Sequence, residues 1–478
     1  MDCYTSTMIR IRGRGFLARR GAAALALAFG LNGVGLLAAP KAEFRLATFS
    51  ADVTVPMGHA LMGGGIRPAQ KVGDPLFANG WVLLGGDKPT VMVSADWCEI
   101  RNAAYERWCN VLAQAADTDP VRVLVTTTHV HDAPVADLEA QNILNASLAT
   151  GSICDLAFHE EAVQRVAQAL KESLKLRRRV THLGLGQAKV EKVASNRRYV
   201  LPDGTVNYGR TSSTKDLKAH AAAEGTIDPW LKTLSFWDGK KPIAAMHAYA
   251  VHPMSFYGNG EVSADFVGMA RARLQAEHPS VFQIYVSGCS GNVTAGKYND
   301  GSPTNRPVLA DRIYRAMKVS WAKTQRLRLE QADLRVVPLR LEPRNSAGFT
   351  VAEMEKRVRE DPKPFGQCLA AMGLSWRKRC AAGRLIDVPA VDFGAAQLLL
   401  LPAESYVEFQ LFAQQQRPES FVMVMGYGEC APGYIPIERA WQEKDNNLDD
   451  WCWVSPGAEV TMKQAIEAAL RSAAESRR

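Results

Sequence analysis

Residues 121–134 read VRVLVTTTHVHDAP, and the rest of the chain is organised around them. The stretch opens as an apolar, β-branched run (Val121, Val123, Leu124, Val125) and closes on His129-Val130-His131-Asp132. Residues i and i+2 of a strand point to the same face, so His129 and His131 are expected to project together from a strand end. Two imidazoles at that spacing suit a metal site, or one metal ligand beside one acid/base group. The competing reading is a strand-to-loop junction with incidental histidines. The sequence holds nine histidines in 478 residues, so two in three positions favours chemistry.

Strands and helices alternate on either side of this stretch. Strands are expected over 44–55, 81–84, 90–95, 180–193, 231–237, 242–250, 281–286, 393–400 and 421–425. Helices are expected over 102–116, 158–176, 266–276, 308–323, 351–360 and 458–474, from 3.6-residue periodicity and capping residues. This alternation predicts an α/β fold, a mixed sheet with flanking helices. No domain boundary shows in residues 41–478, so they read as one large domain. Residues 340–385 are charged and irregular and read as an insertion or a lid. The glycine-rich run MGHALMGGGIR at 57–67 is a loop without the lysine and helix of a phosphate-binding loop.

The N-terminus is of another kind. Five arginines between Arg10 and Arg20 precede a small, apolar run at 21–37, then Ala38-Ala39-Pro40. That order predicts a signal peptide over residues 1–40, and hence an exported protein, periplasmic or extracellular. Arg19-Arg20 also allows a twin-arginine signal. The segment carries five arginines against Asp2, so its removal takes the net charge from +8 to +4. The basic balance is therefore weak support for a nucleic-acid partner, and no basic run interleaved with aromatics appears. Eight cysteines lie beyond the signal. In an exported chain they permit disulfides, with Cys368–Cys380 the first pair expected. The absence of CxxC argues against a thiolate zinc site.

Polar groups recur just past apolar strands: Asp96, His129, His131, His252, Asn292 with Thr294, Glu404 and Tyr434. Loops at one end of a sheet are where α/β proteins place their sites. Two histidines and a carboxylate can hold zinc with a position left open for water. Each residue also has a plainer role: His252 as a buried core residue, Glu404 as a helix cap, Tyr434 as packing, Thr294 as a turn residue.

Several of these segments together resemble the neutral/alkaline, non-lysosomal ceramidase family. FSADVTVPMGHALMGGG resembles its opening strand and glycine-rich loop, THVHDAP its Thr-His-x-His motif, and SNRRYVLPDG with IDPWLKTLSF its Asn-Arg segment and hairpin. AVHPMS, LPAES and GYGECAPGYIP are similar to its second histidine, glutamate and tyrosine segments. The resemblance implies the fold of the family's N-terminal domain and a catalytic Zn2+ held by His129, His252, Glu404 and Tyr434. It implies catalytic roles for His131 and for Arg197, which Arg198 adjoins, and hydrolysis of an N-acyl amide by zinc-activated water. A small-molecule or lipid-like substrate follows, and with it peripheral membrane contact; oligomeric state is left open.

Two motifs depart from the family. Its Gly-Asp-Val-Ser reads Gly291-Asn292-Val293-Thr294 here; Thr294 keeps the hydroxyl, and with it the catalytic role the resemblance implies, but the carboxylate is gone. Its Ser-Gly-Pro-Gly-Gly after the histidines is replaced by Asp132-Ala133-Pro134. The chain is also expected to lack the family's C-terminal β-domain. A zinc hydrolase of another amide or ester, from a saccharide or peptidoglycan fragment, is the alternative. A binding protein that keeps fold and metal is the non-catalytic one.

Overall fold

In the computed structural model, which describes residues 43–471, the strand around which the sequence is organised runs over Val123–Thr127 and is buried along its whole length. It pairs in parallel with Thr90–Ala95, which pairs antiparallel with Phe77–Leu84, and that with Arg45–Asp52. A second sheet begins with Phe282–Ser287 parallel to Lys241–Tyr249. It continues antiparallel through Trp230–Asp238, His182–Lys189 and Gln325–Arg328. A third begins with Phe421–Met425 parallel to Ala396–Leu400 and continues antiparallel through Ile386–Asp392 and Asp333–Leu339. Each sheet therefore carries one parallel pair at an edge, and parallel strands demand cover on both faces.

Side-chain alternation shows how that cover is provided. Met92, Leu124, Met246, Ile284, Leu398 and Met423, drawn from all three sheets, fill one common core. Val91 and Val93, on the other face of their strand, meet helices Asn102–Ala116 and Leu156–Ser173. Val422 and Val424 meet helix Val407–Gln416 in the same way, in a core that helices Pro364–Ala381 and Ala458–Leu470 also share. Three sheets thus pack inner face to inner face, with helices outside: the mixed α/β class expected.

Two expectations are corrected. Residues 340–385 form no lid. Helix Val351–Glu360 is present, closed by a capping box from Thr350 and Glu353, but the unforeseen helix Pro364–Ala381 is buried over most of its length against the third sheet's core. A helix apolar on every side shows no amphipathic period and reads as irregular. Cys368 and Cys380 cannot pair either. Both lie on this helix, twelve residues and roughly 18 Å apart at 1.5 Å per residue, beyond the roughly 7 Å that a disulfide spans. The eight cysteines among the described residues are free. The expected signal segment, 1–40, lies outside the described residues. Among those residues no helix is long and apolar enough to cross a membrane.

Candidate metal centre

The three parallel pairs end at one place, and their ends are stitched together. Thr127 N–H donates to the Tyr427 carbonyl, Gly426 N–H to that of Ser287, and Ser287 Oγ to that of Thr128. The loops that follow deliver His129 from the first sheet, His252 and Ser290 from the second, and Glu404, Tyr427 and Tyr434 from the third. Bridges complete the frame. Glu404 pairs with Tyr434 in a two-residue parallel ladder, and Thr294 bridges to His252. Ser195–Asn196 pairs antiparallel with Val293–Thr294, which places Arg197 beside them.

His129 and His131 do meet, with ring centroids 5.1 Å apart, but not through strand alternation. The strand stops at Thr127, and His129 takes a left-handed backbone conformation, φ 59°. Ala403 and Tyr427 share it, at φ 51° and 56°. For non-glycine residues this conformation costs about 1 kcal/mol or more each, and such strain gathers at functional sites.

The hydrogen bonds set the tautomers. His129 Nδ1 lies 2.9 Å from the Cys98 carbonyl and His252 Nδ1 lies 2.6 Å from that of Ser290. A carbonyl only accepts, so both Nδ1 atoms carry the proton and both Nε2 atoms present lone pairs. Those Nε2 atoms are 3.1 Å apart, and Glu404 Oε2 lies 2.9 Å from that of His252 and 3.4 Å from that of His129. Three acceptors thus converge at full burial, an arrangement that repels itself unless a cation joins them. Two imidazole nitrogens and a carboxylate oxygen are the donor set of a catalytic zinc site, and carbonyls behind both rings are its usual outer layer. The residues fit the metal.

Tyr427 stacks on His129 with centroids 4.1 Å apart and hydrogen-bonds Ser290 Oγ at 2.7 Å. The Tyr434 hydroxyl accepts from Arg197 Nη1 at 2.7 Å, and the Asn447 amide oxygen lies 3.3 Å from the same nitrogen. His131 faces His129, His252 and Tyr257, and both its ring nitrogens are buried without a hydrogen-bond partner. An imidazole left unsatisfied in that way is held for something else to bind. Cys98 Sγ lies 4.0 Å from His129 Nδ1; burial, then the charges of Glu99 and Glu404, hold its thiol well above the usual range.

Electrostatics sort the groups into roles. Burial pushes the His131 imidazole well below its usual value, and positive charge on either neighbouring imidazole would push it further. Burial and then the Arg197 charge bring His252 down to about 4. Burial works against the Glu404 carboxylate, yet the attraction of positive charge held at His129 and His252 outweighs it and keeps that group well below the usual range. Burial raises the Tyr434 phenol, an effect the Arg197 charge opposes. At neutral pH the site therefore presents neutral imidazoles at His131 and His252, an ionised carboxylate and a fixed guanidinium.

Other expected residues have structural partners. Asp96 forms a two-point ion pair with Arg271 at 2.7 and 2.6 Å. Thr294 Oγ1 donates to the Thr211 carbonyl at 2.5 Å and accepts from Gly296 N–H, closing a turn. Asn292 accepts from Val407 N–H and donates to Glu408, tying its loop to the start of helix Val407–Gln416. Of the residues not singled out from sequence, Tyr427 was the most accessible: it lies in GYGECAPGYIP directly after a strand, the position that marked the others. Ser290 and Cys98 act through their carbonyls, which side-chain chemistry does not reveal.

Comparison with solved structures identifies the fold. The chain superposes on neutral ceramidase from Pseudomonas aeruginosa with a TM-score of 0.67 at 16% identity, covering 91% of this chain and 75% of that one. A ceramidase complexed with C2 gives 0.65 at 18% identity, covering 90% and 75%. No protein-family model matches the sequence, and a search of curated proteins finds no match. The protein thus has a ceramidase-like fold.

Proposed function

We propose that the protein is an exported, zinc-dependent amidohydrolase that cleaves the N-acyl bond of a ceramide-like lipid. The observation that carries the reading is the convergence of His129, His252 and Glu404 on one point, with His131 unpartnered beside them. His129, His252 and Glu404 would hold the metal, with Tyr434 as fourth ligand. When bound, zinc supplies Lewis-acid activation of water and of the scissile carbonyl. His131, neutral at pH 7, takes the proton from the attacking water and returns it to the departing amine nitrogen, the usual course for a positioned imidazole. Arg197, kept charged by Tyr434 and Glu404 despite its burial, orients the Tyr434 hydroxyl and stabilises negative charge growing on the carbonyl oxygen. Thr294 serves by position, fastening the segments that carry His252 and Arg197.

The test is metal content together with hydrolysis of a panel of N-acyl substrates, with and without chelator. The expected result is zinc near one per chain and chelator-sensitive fatty-acid release, both lost in His129→Ala. Normal zinc in that variant refutes the ligand set. Zinc without turnover of any lipid amide refutes the substrate class.

A further inference from the structure

A groove of about 730 Å³ lies outside the metal site, between helices Val351–Glu360 and Pro364–Ala381, the ends of strands Asp333–Leu339 and Ile386–Asp392, and helix Leu138–Ala146. That volume is in the range of small-molecule sites, about 300–1,000 Å³. Its floor is apolar, formed by Leu339, Leu341, Val358, Leu374, Trp376 and Ile386. Val351 and Leu385, 43% and 41% exposed, continue the apolar surface outward. No residue of the metal centre lines it.

The rim is cationic. Arg340, Arg359, Arg377, Lys378 and Arg384 line it, against Glu342 and Glu355. Arg340 pairs with Glu342, and Lys378 and Arg384 with Glu139 and Glu106. Arg377 donates to the carbonyls of Arg344 and Phe349 and to Asn345 Oδ1, with no carboxylate opposite among the described residues. Arg359 makes no ion pair among the described residues. The Glu355 carboxylate does not balance these two guanidiniums, so the groove keeps a positive mouth over an apolar floor.

We propose that this groove binds a long-chain fatty-acid anion, the tail along the apolar floor and the carboxylate against Arg359 and Arg377. A guanidinium presents two parallel donors to a carboxylate, and the floor supplies the non-directional part of the binding. The site is separate from the metal centre and does not depend on the reaction proposed there.

Laurate titrated into the full chain by calorimetry tests this. The expected result is one laurate per chain, kept in metal-stripped protein. Arg359→Gln should weaken binding at least fivefold, Val351→Trp at least tenfold by filling the mouth, and dodecanol should bind at least tenfold more weakly than laurate. Both substituted side chains are exposed, so folding should survive; circular dichroism checks it. The proposal is overturned if laurate does not bind, if neither substitution changes its affinity, or if dodecanol binds equally well. Sedimentation with phosphatidylglycerol vesicles, without any response to monomeric laurate, would mark the face as a membrane contact and overturn it too.

Discussion

His131 is the residue on which the proposed chemistry turns. Replacing it with alanine removes the proton carrier and leaves the three convergent acceptors in place. The expected result is a kcat lower by roughly 10²- to 10⁴-fold, with zinc content unchanged. The pH profile separates this from a folding defect. A base must be neutral to accept a proton, and burial places the His131 pKa below the usual imidazole value. Activity should therefore persist as pH falls through 6.5 and decline only further down; an acid limb centred at 6.5 or higher rules out this role. Gly291 acts at the same scale without a side chain. A Cβ there would lie 2.1 Å from the Glu404 carbonyl oxygen and 3.0 Å from Tyr406. Gly291→Ala must displace the Glu404 strand, at about 1–3 kcal/mol. We expect zinc loss on dialysis from a protein whose circular dichroism is unchanged; full zinc retention would show that the strand is free to shift. The histidines were legible in the sequence because they follow conspicuous apolar strands. The roles of Gly291, Ser290 and Cys98 were not, because they act through backbone that only the folded chain brings together.

Among the elements, helix Pro364–Ala381 tests how burial overrides propensity. Alanine is normally about 1 kcal/mol better than glycine within a helix, so Gly373→Ala reads from sequence as stabilising. In the structure a Cβ on Gly373 would lie 2.4 Å from Met354 Sδ and 2.7 Å from Trp453 Nε1. Met354 can shift, but Trp453 is packed in the same core. Overpacking of this kind costs about 1–3 kcal/mol, so the substitution should lower the urea midpoint at constant m-value; a higher midpoint would mean that the core yields. The strands tell a similar story. Thr90–Ala95 and Phe421–Met425 were legible because strands covered on both faces are apolar throughout. Their distribution among three sheets was not, since pairing joins segments such as Ala396–Leu400 and Ile386–Asp392 into ladders that local pattern does not specify. Strands Ile386–Asp392 and Asp333–Leu339 went unread for a local reason as well: each carries a proline and exposed charged positions.

At the scale of the whole molecule, Arg101 ties distant parts of the chain together. It is fully buried and pairs with Glu99 at 2.7 Å and Asp137 at 3.2 Å. It also donates to the carbonyls of Cys430 and Ala431 at 3.1 and 2.9 Å, and lies 4.6 Å from the Trp453 ring centroid. One guanidinium thus joins the entrance of helix Asn102–Ala116, the cap of helix Leu138–Ala146, the loop leading to Tyr434 and the segment before the last helix. Removing one partner of a buried ion pair costs about 3–5 kcal/mol, because the other charge is left uncompensated. Arg101→Met should lose about that much in urea denaturation, and adding Glu99→Gln should restore part of it. The pH dependence follows from Glu99, whose carboxyl burial raises to about 7 even though Arg101 lowers it. A folded-state pKa above the unfolded one means that the native state binds the extra proton. Stability from this group is then full at low pH and is lost as pH rises through the folded value. Without Arg101 that value rises further, so the deficit of Arg101→Met should be smaller at pH 5 than at pH 8. A deficit independent of pH would show that the arginine acts through its stacking and carbonyl contacts rather than its charge.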